Sequence, residues 1–127
     1  MKIKTYKDLD VYNLSFTSGM KIFEITKKFP KDEKYSLTDQ IRRSSRSVSA
    51  NISEAYGTRR YKKSFVSKLV IAIAEATETQ TWLDFSLACK YITNEIHADL
   101  NQRYEIILAK INNMDMKAET FCFKPHK

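Results

Sequence analysis

Apolar side chains return every third or fourth residue through four stretches of the chain, the spacing of one face of an α-helix. In the first, Val11, Leu14, Ser18, Ile22, Ile25 and Phe29 share a face. Pro30 ends the run, because its ring removes a backbone donor and disfavours helix in the residue before it. The second passes through Leu37, Ile41, Ser45, Val48, Ile52 and Ala55. Ser36 stands where an N-cap belongs, with Asp39 three places on, and Gly57 is placed to end the helix with a positive φ. The third and longest takes in Phe65, Leu69, Ala72, Ala76, Thr79, Leu83 and Leu87. The fourth runs Ile96, Leu100, Tyr104, Ile107, Ile111, Met114, with Thr93 as candidate cap. No stretch alternates with period two, so strands are not expected. The pattern predicts helices over about 8–29, 37–56, 64–91 and 95–117. Connections this short make successive helices antiparallel neighbours. The expected fold is therefore all-α, one domain over residues 1–127, an antiparallel up-down-up-down four-helix bundle. The first seven residues and the tail beyond about Ala118 are expected outside it, with Phe121 and Phe123 tacking the tail onto a surface or a neighbouring subunit.

Helix two carries a second stripe, Gln40, Ser44, Ser47, Asn51 and Ala55, mostly small. Small residues let another helix approach closely, and Gln and Asn fix register by hydrogen bonding. Two partners suit the stripe. One is helix one or three of the same chain; the other is a second subunit, which would make Gln40, Ser44, Ser47 and Asn51 an oligomer interface.

Composition narrows the classes. The 127 residues are 43% hydrophobic and 12% aromatic, enough to build a core and so to exclude global disorder. Two glycines and two prolines argue against a turn-rich β fold. Gly19 and Gly57 stand alone, so no Gly-rich phosphate loop exists. Cys89 and Cys122 form no spaced pair, as expected of a reducing compartment. The opening MKIKTYKDLD has no apolar core, and the longest uncharged stretch, Val11 to Met20, is too short to span a bilayer. A cytoplasmic protein without a membrane role is expected.

Charge changes the picture most. The formal net charge is +7. Between Arg42 and Lys68 lie Arg42, Arg43, Arg46, Arg59, Arg60, Lys62, Lys63 and Lys68 against Glu54 alone, so this segment accounts for the whole excess. A neutral body with one basic segment focuses potential there and can steer a polyanion to it. Tyr56 and Tyr61 are interleaved with these cations, a pattern that suits phosphate contact plus stacking on a base or ribose. The competing reading is a solvated charged face. Arg42 and Arg46 sit some 20 Å along helix two from the Arg59–Lys63 group, at 1.5 Å per residue. Glu54 is expected to pair with an arginine or cap a neighbouring chain, Asn51 to hydrogen-bond backbone or a symmetry mate, and Trp82 to lie in core or interface.

The run Phe29-Pro30…Glu33-Lys34-Tyr35-Ser36-Leu37-Thr38-Asp39-Gln40-Ile41-Arg42-Arg43, followed by Ser47-Val48…Asn51-Ile52-Ser53-Glu54…Gly57, resembles the four-helix bundle proteins named for ribosomal-RNA intervening sequences. Their pattern reads roughly F-P-x-x-E-x-Y-x-L-x-x-Q-x-x-R, then S-I-P-x-N-I-A-E-G-x-G-R. The likeness covers about residues 6–115, with Phe65, Leu69, Ala72 and Glu78 matching the third helix loosely. Ser49 replaces the usual proline, Ser53 the alanine, Ala55 the first glycine and Thr58 the arginine after the second, with Arg59 and Arg60 one residue late. The resemblance implies small bundles that assemble as homopentamers with basic surfaces. It also implies kinship to accessory proteins of diversity-generating retroelements, which bind nucleic acid and a reverse transcriptase.

Catalytic signatures are missing. The histidines are His97 and His126, and Asn94 stands where a Glu-x-x-His di-iron motif would need its glutamate. No Cys/His cluster has zinc spacing, and nothing marks a hydrolytic triad around His97. No catalytic residue, metal or cofactor is assigned. The expectation is a non-catalytic oligomeric adaptor that contacts RNA or DNA phosphates through Arg42, Arg43, Arg46, Arg59, Arg60, Lys62, Lys63 and Lys68, without base-specific readout. The alternative is a scaffold whose basic patch meets an acidic protein.

Overall fold

The computed structural model describes residues 2–124, and they form four long helices and no strand. His126 lies outside the described residues. Helix α1 (Asp10–Thr26) is entered through a 3-10 turn at Tyr6–Asp8. The Asp8 carboxylate accepts from the amides of Lys4 and Thr5, at 2.8 and 3.0 Å, while the Thr5 hydroxyl accepts from the Lys7 amide. Leu9 is buried and Tyr6 packs edge-on against Tyr12, so the chain start is docked from Tyr6 onward rather than free through residue 7. The helix ends three residues before Phe29. Lys27, Lys28 and Phe29 turn their amides to carbonyls three back, a tightened exit that prepares the extended Pro30.

Helix α2 (Leu37–Gly57) starts at Ser36, whose hydroxyl makes no cap bond. It donates instead to the Glu33 carboxylate, which also accepts from the Leu37 amide. At the other end Gly57 has no positive φ; it is the last helical residue. The Thr58 amide and hydroxyl bond back to the Glu54 and Ala55 carbonyls and close the helix without a left-handed turn.

Helix α3 (Lys62–Ala88) begins two residues earlier and stops three earlier than its apolar pattern predicts. Lys90, at φ 63, supplies the left-handed turn, with Tyr91 N bonded to Ser86 O and Lys90 N to Leu87 O. This is a Schellman closure with lysine in the usual glycine position. Helix α4 (Asn94–Met116) is capped by the Thr93 hydroxyl, as expected from sequence, and a short α5 (Ala118–Phe121) follows.

The apolar stripes meet in one core: Ile22, Ile41, Val48, Ile52, Phe65, Leu69, Leu83, Leu100, Tyr104, Ile107 and Ile111 are almost wholly buried. The α2–α3 seam is the most extensive, and α1–α4 the slightest of the four. The pairs across the seams run in opposite numerical senses. Ser15 meets Ser49 while Thr26 meets Arg42; Ser44 meets Thr79 while Glu54 meets Lys68; Gln80 meets Asn101 while Asp84 meets His97. No described helix is long and apolar enough to cross a membrane.

Candidate nucleic-acid interface

The eight cations meet different fates once the helices pack. Arg42 turns inward, its Nε donating to Thr26 Oγ1 at 2.8 Å, with a long second contact to the Phe23 carbonyl and the guanidinium 4.8 Å from the Phe23 ring. It fastens the end of α1, where carbonyls lack helical partners. Arg46 stays exposed over the same ring at 5.7 Å. Arg43 is exposed at a groove of about 470 Å³ that Arg46 also lines, together with Gln40, Ser47, Glu75 and Glu78. There burial first, and Glu78 second, raise the Glu75 carboxyl above its usual range, against the pull of Arg43 and a Ser47 hydrogen bond.

The second group sits where α2 passes into α3. The Arg59 guanidinium stacks 3.6 Å from the Tyr56 ring centre and its Nε donates to the Tyr56 carbonyl. Tyr56 is thereby buried, so the expected stacking role for its ring is lost. Lys62 pairs with Glu119, which raises the lysine's pKa by hydrogen bond first and charge second. Glu54 finds Lys68 at 3.7 Å instead of an arginine, because Lys68 lies on α3 beside the last turns of α2. Arg60 and Lys63 are exposed, with no carboxylate partner among the described residues.

The C-terminal segment joins this end, contrary to the expectation that it lies outside the bundle. Phe121 stacks on core Phe65 at 5.9 Å and Ala118 is buried. The Phe123 amide donates to the Arg59 carbonyl, and its ring lies 4.9 Å from the Arg59 guanidinium. Two aromatics in the tail were the one sequence signal of this docking; nothing in sequence matched Glu119 with Lys62.

The small stripe of α2 is divided. Ser44, at 2% exposure, accepts from the Thr79 hydroxyl inside the α2–α3 seam, and buried Asn51 donates to the carbonyl and hydroxyl of Ser47 on its own helix. Gln40 and Ser47 remain half-buried on the groove wall. His97 Nε2 lies 2.8 Å from the Asp84 carboxylate, bracing α4 on α3. The described residues hold no cluster of three or more metal-ligating side chains.

Four packed helices with cations gathered at one flank and one end define a small helical-bundle protein with a segregated surface charge. The chain belongs to the 23S rRNA-intervening sequence protein family, whose model matches residues 7–113. It is similar to a crystal structure of a protein with unknown function from the S23 ribosomal protein family of Bacteroides thetaiotaomicron. The two are 30% identical, with a TM-score of 0.76 over 84% of this chain and 95% of that one. Among curated proteins no match is found.

Proposed function

We propose that the protein is a non-catalytic, cytoplasmic adaptor that binds RNA or DNA through phosphate contacts and works as a homo-oligomer, a pentamer by family resemblance. Its four helices run up-down-up-down and antiparallel, in keeping with the opposed registers of the seams. The carrying observation is the concentration on a neutral body of cations that form no ion pair among the described residues: Arg60 and Lys63 at the α2–α3 turn, Arg46 on α2, and Arg43, which shares its groove with Glu75 and Glu78. Arg42 acts as a structural residue, and Arg59, Lys62 and Lys68 contribute only as far as their internal partners release them. Self-association is supported by apolar side chains on the outer face of α3. Val70, Ile71 and Phe85 are all exposed in the single chain, as on a helix that is covered in an assembly.

Four phosphate contacts on a single strand give a log–log salt slope of about −2.8 per chain, at roughly 0.7 per phosphate. Fluorescence anisotropy with labelled RNA and DNA over a salt series tests this. Arg60→Glu with Lys63→Glu should abolish most of the binding, and retention of full affinity removes the patch from the reading. Light scattering should return a multiple of 14.9 kDa; a monomeric mass refutes the assembly. The same exposed cations suit a second role, a scaffold whose basic patch meets an acidic protein partner, and the resemblance adds a reverse transcriptase or another protein as a partner. In that case pull-down persists after nuclease treatment.

A further inference from the structure

Charge alone serves a duplex and a single strand alike, since both present phosphates. The α2–α3 end offers something more. Tyr61 is 63% exposed and directly follows Arg60 in the chain, while Phe123 is 56% exposed with its ring 4.9 Å from the guanidinium of Arg59, the residue before Arg60. They are held on a braced platform. Tyr61 N bonds to Thr58 O and Tyr61 O accepts from Phe65 N, so its backbone belongs at once to the turn and to the first turn of α3. Phe123 is bonded through its amide to Arg59 O, and Arg59 is itself fixed by the Tyr56 carbonyl and ring. The two rings thus come from segments about sixty residues apart in the chain and meet one turn, where Arg60 and Lys63 find no carboxylate among the described residues.

We propose, as a deepening of the nucleic-acid reading on which it rests, that this end of the bundle takes single-stranded nucleic acid, with Tyr61 and Phe123 as platforms for unpaired bases and Arg60 and Lys63 on the flanking phosphates. A duplex buries its base faces in its own stack and presents only phosphates and groove edges, so the rings gain nothing from it. An unpaired base has both faces free, and stacking on an aromatic ring tolerates any sequence, in line with the absence of a base-reading signature. Phe123 takes the place that the sequence pattern assigned to Tyr56, whose ring is already covered by Arg59.

The test is anisotropy with one labelled 20-nucleotide sequence, offered as single-stranded RNA, as single-stranded DNA and as the DNA duplex. The proteins are wild type, Tyr61→Ala, Phe123→Ala, the double variant and Tyr61→Trp, with thermal melts to establish folding. Each alanine variant should lose about fivefold or more in single-strand affinity, the low end of stacking by one ring, with duplex binding changed less than twofold. Tyr61→Trp should keep affinity, and its fluorescence should be quenched by the single strand alone. Equal affinity of wild type for single strand and duplex overturns the proposal and leaves phosphate binding standing. So does an unchanged single-strand affinity in the folded double variant. Binding to neither form at low salt overturns both. Phe123→Leu settles a folding defect in Phe123→Ala: it keeps the apolar contact and must still lose single-strand affinity.

Discussion

Replacing Arg42 with alanine removes a guanidinium that joins α2 to the last turn of α1. The Nε bond to Thr26 Oγ1, at 2.8 Å, is charge-assisted and worth about 1.5–3 kcal/mol in a dry site. Arg42 is half-buried, so the low end applies. The Phe23 ring at 4.8 Å adds about 0.5 kcal/mol, and the 3.4 Å contact to the Phe23 carbonyl little more. The expected loss is about 2 kcal/mol. With an unfolding entropy of about 2.1 cal/mol/K per residue over this chain, the melting temperature falls by roughly 7 °C. Urea unfolding should show a lower midpoint at unchanged slope, which marks lost stability rather than a changed unfolded state. Arg42→Lys should recover only part of the loss, because an ammonium cannot donate to Thr26 and stack on Phe23 in one geometry. Nucleic-acid affinity should stay within twofold of wild type in both variants. A protein of unaltered stability and weakened binding would refute the assignment of Arg42 to the fold and return it to the surface patch.

Gly57→Ala should raise stability by about 0.4–1 kcal/mol, since Gly57 is helical and a Cβ there meets nothing within 4 Å. A loss of similar size in a calorimetric melt would restore the left-handed cap that the structure removes. Ser44→Leu should cost about 2 kcal/mol or more by overpacking the α2–α3 seam and stranding its bond with Thr79, whereas Ser47→Leu on the groove wall should cost less. Chemical denaturation decides it, and equal costs would place both residues on the surface. The Glu33–Tyr91 bond sets two pH limbs. Glu33 is held below its ordinary 4.5 by the Ser36 hydroxyl first and the Tyr91 hydroxyl second, so its contribution is present above pH 4.5 and lost as acid protonates it. Tyr91 is pushed up to about 12 from 10.0, chiefly by the hydrogen bond to Glu33, so its contribution is present below pH 10.0 and lost as pH rises through about 12. Glu33→Gln should flatten both limbs in urea midpoints measured against pH; a profile that keeps either limb contradicts the pairing.

The helices and their buried faces were written in the sequence, because a helix's inward face is a local property that repeats every 3.6 residues. The apolar face of α2 read from sequence, Leu37, Ile41, Ser45, Val48, Ile52 and Ala55, is buried throughout, and Thr93 caps α4 as its hydroxyl and position predict. The family, too, was legible in the run from Phe29 to Gly57. Helix ends were harder. Gly57 looked like the left-handed stop and is not; Lys90 is that stop without any glycine to announce it, because the chain's next direction decides which residue must turn. The basic segment shows the sharpest division. Sequence located the charge, but a sum along the chain says nothing of which cations acquire partners. Arg42 finds Thr26, Lys62 finds Glu119 and Arg59 finds Phe123, groups 16 to more than sixty positions away. Coulomb attraction and hydrogen bonds act over a few ångströms of space, and only the packing of α1, α2 and the C-terminal segment sets those distances. Tertiary structure therefore decided that Arg60 and Lys63 stay open to solvent, and that Phe123, held to Arg59, rather than Tyr56 leaves an exposed ring at that turn.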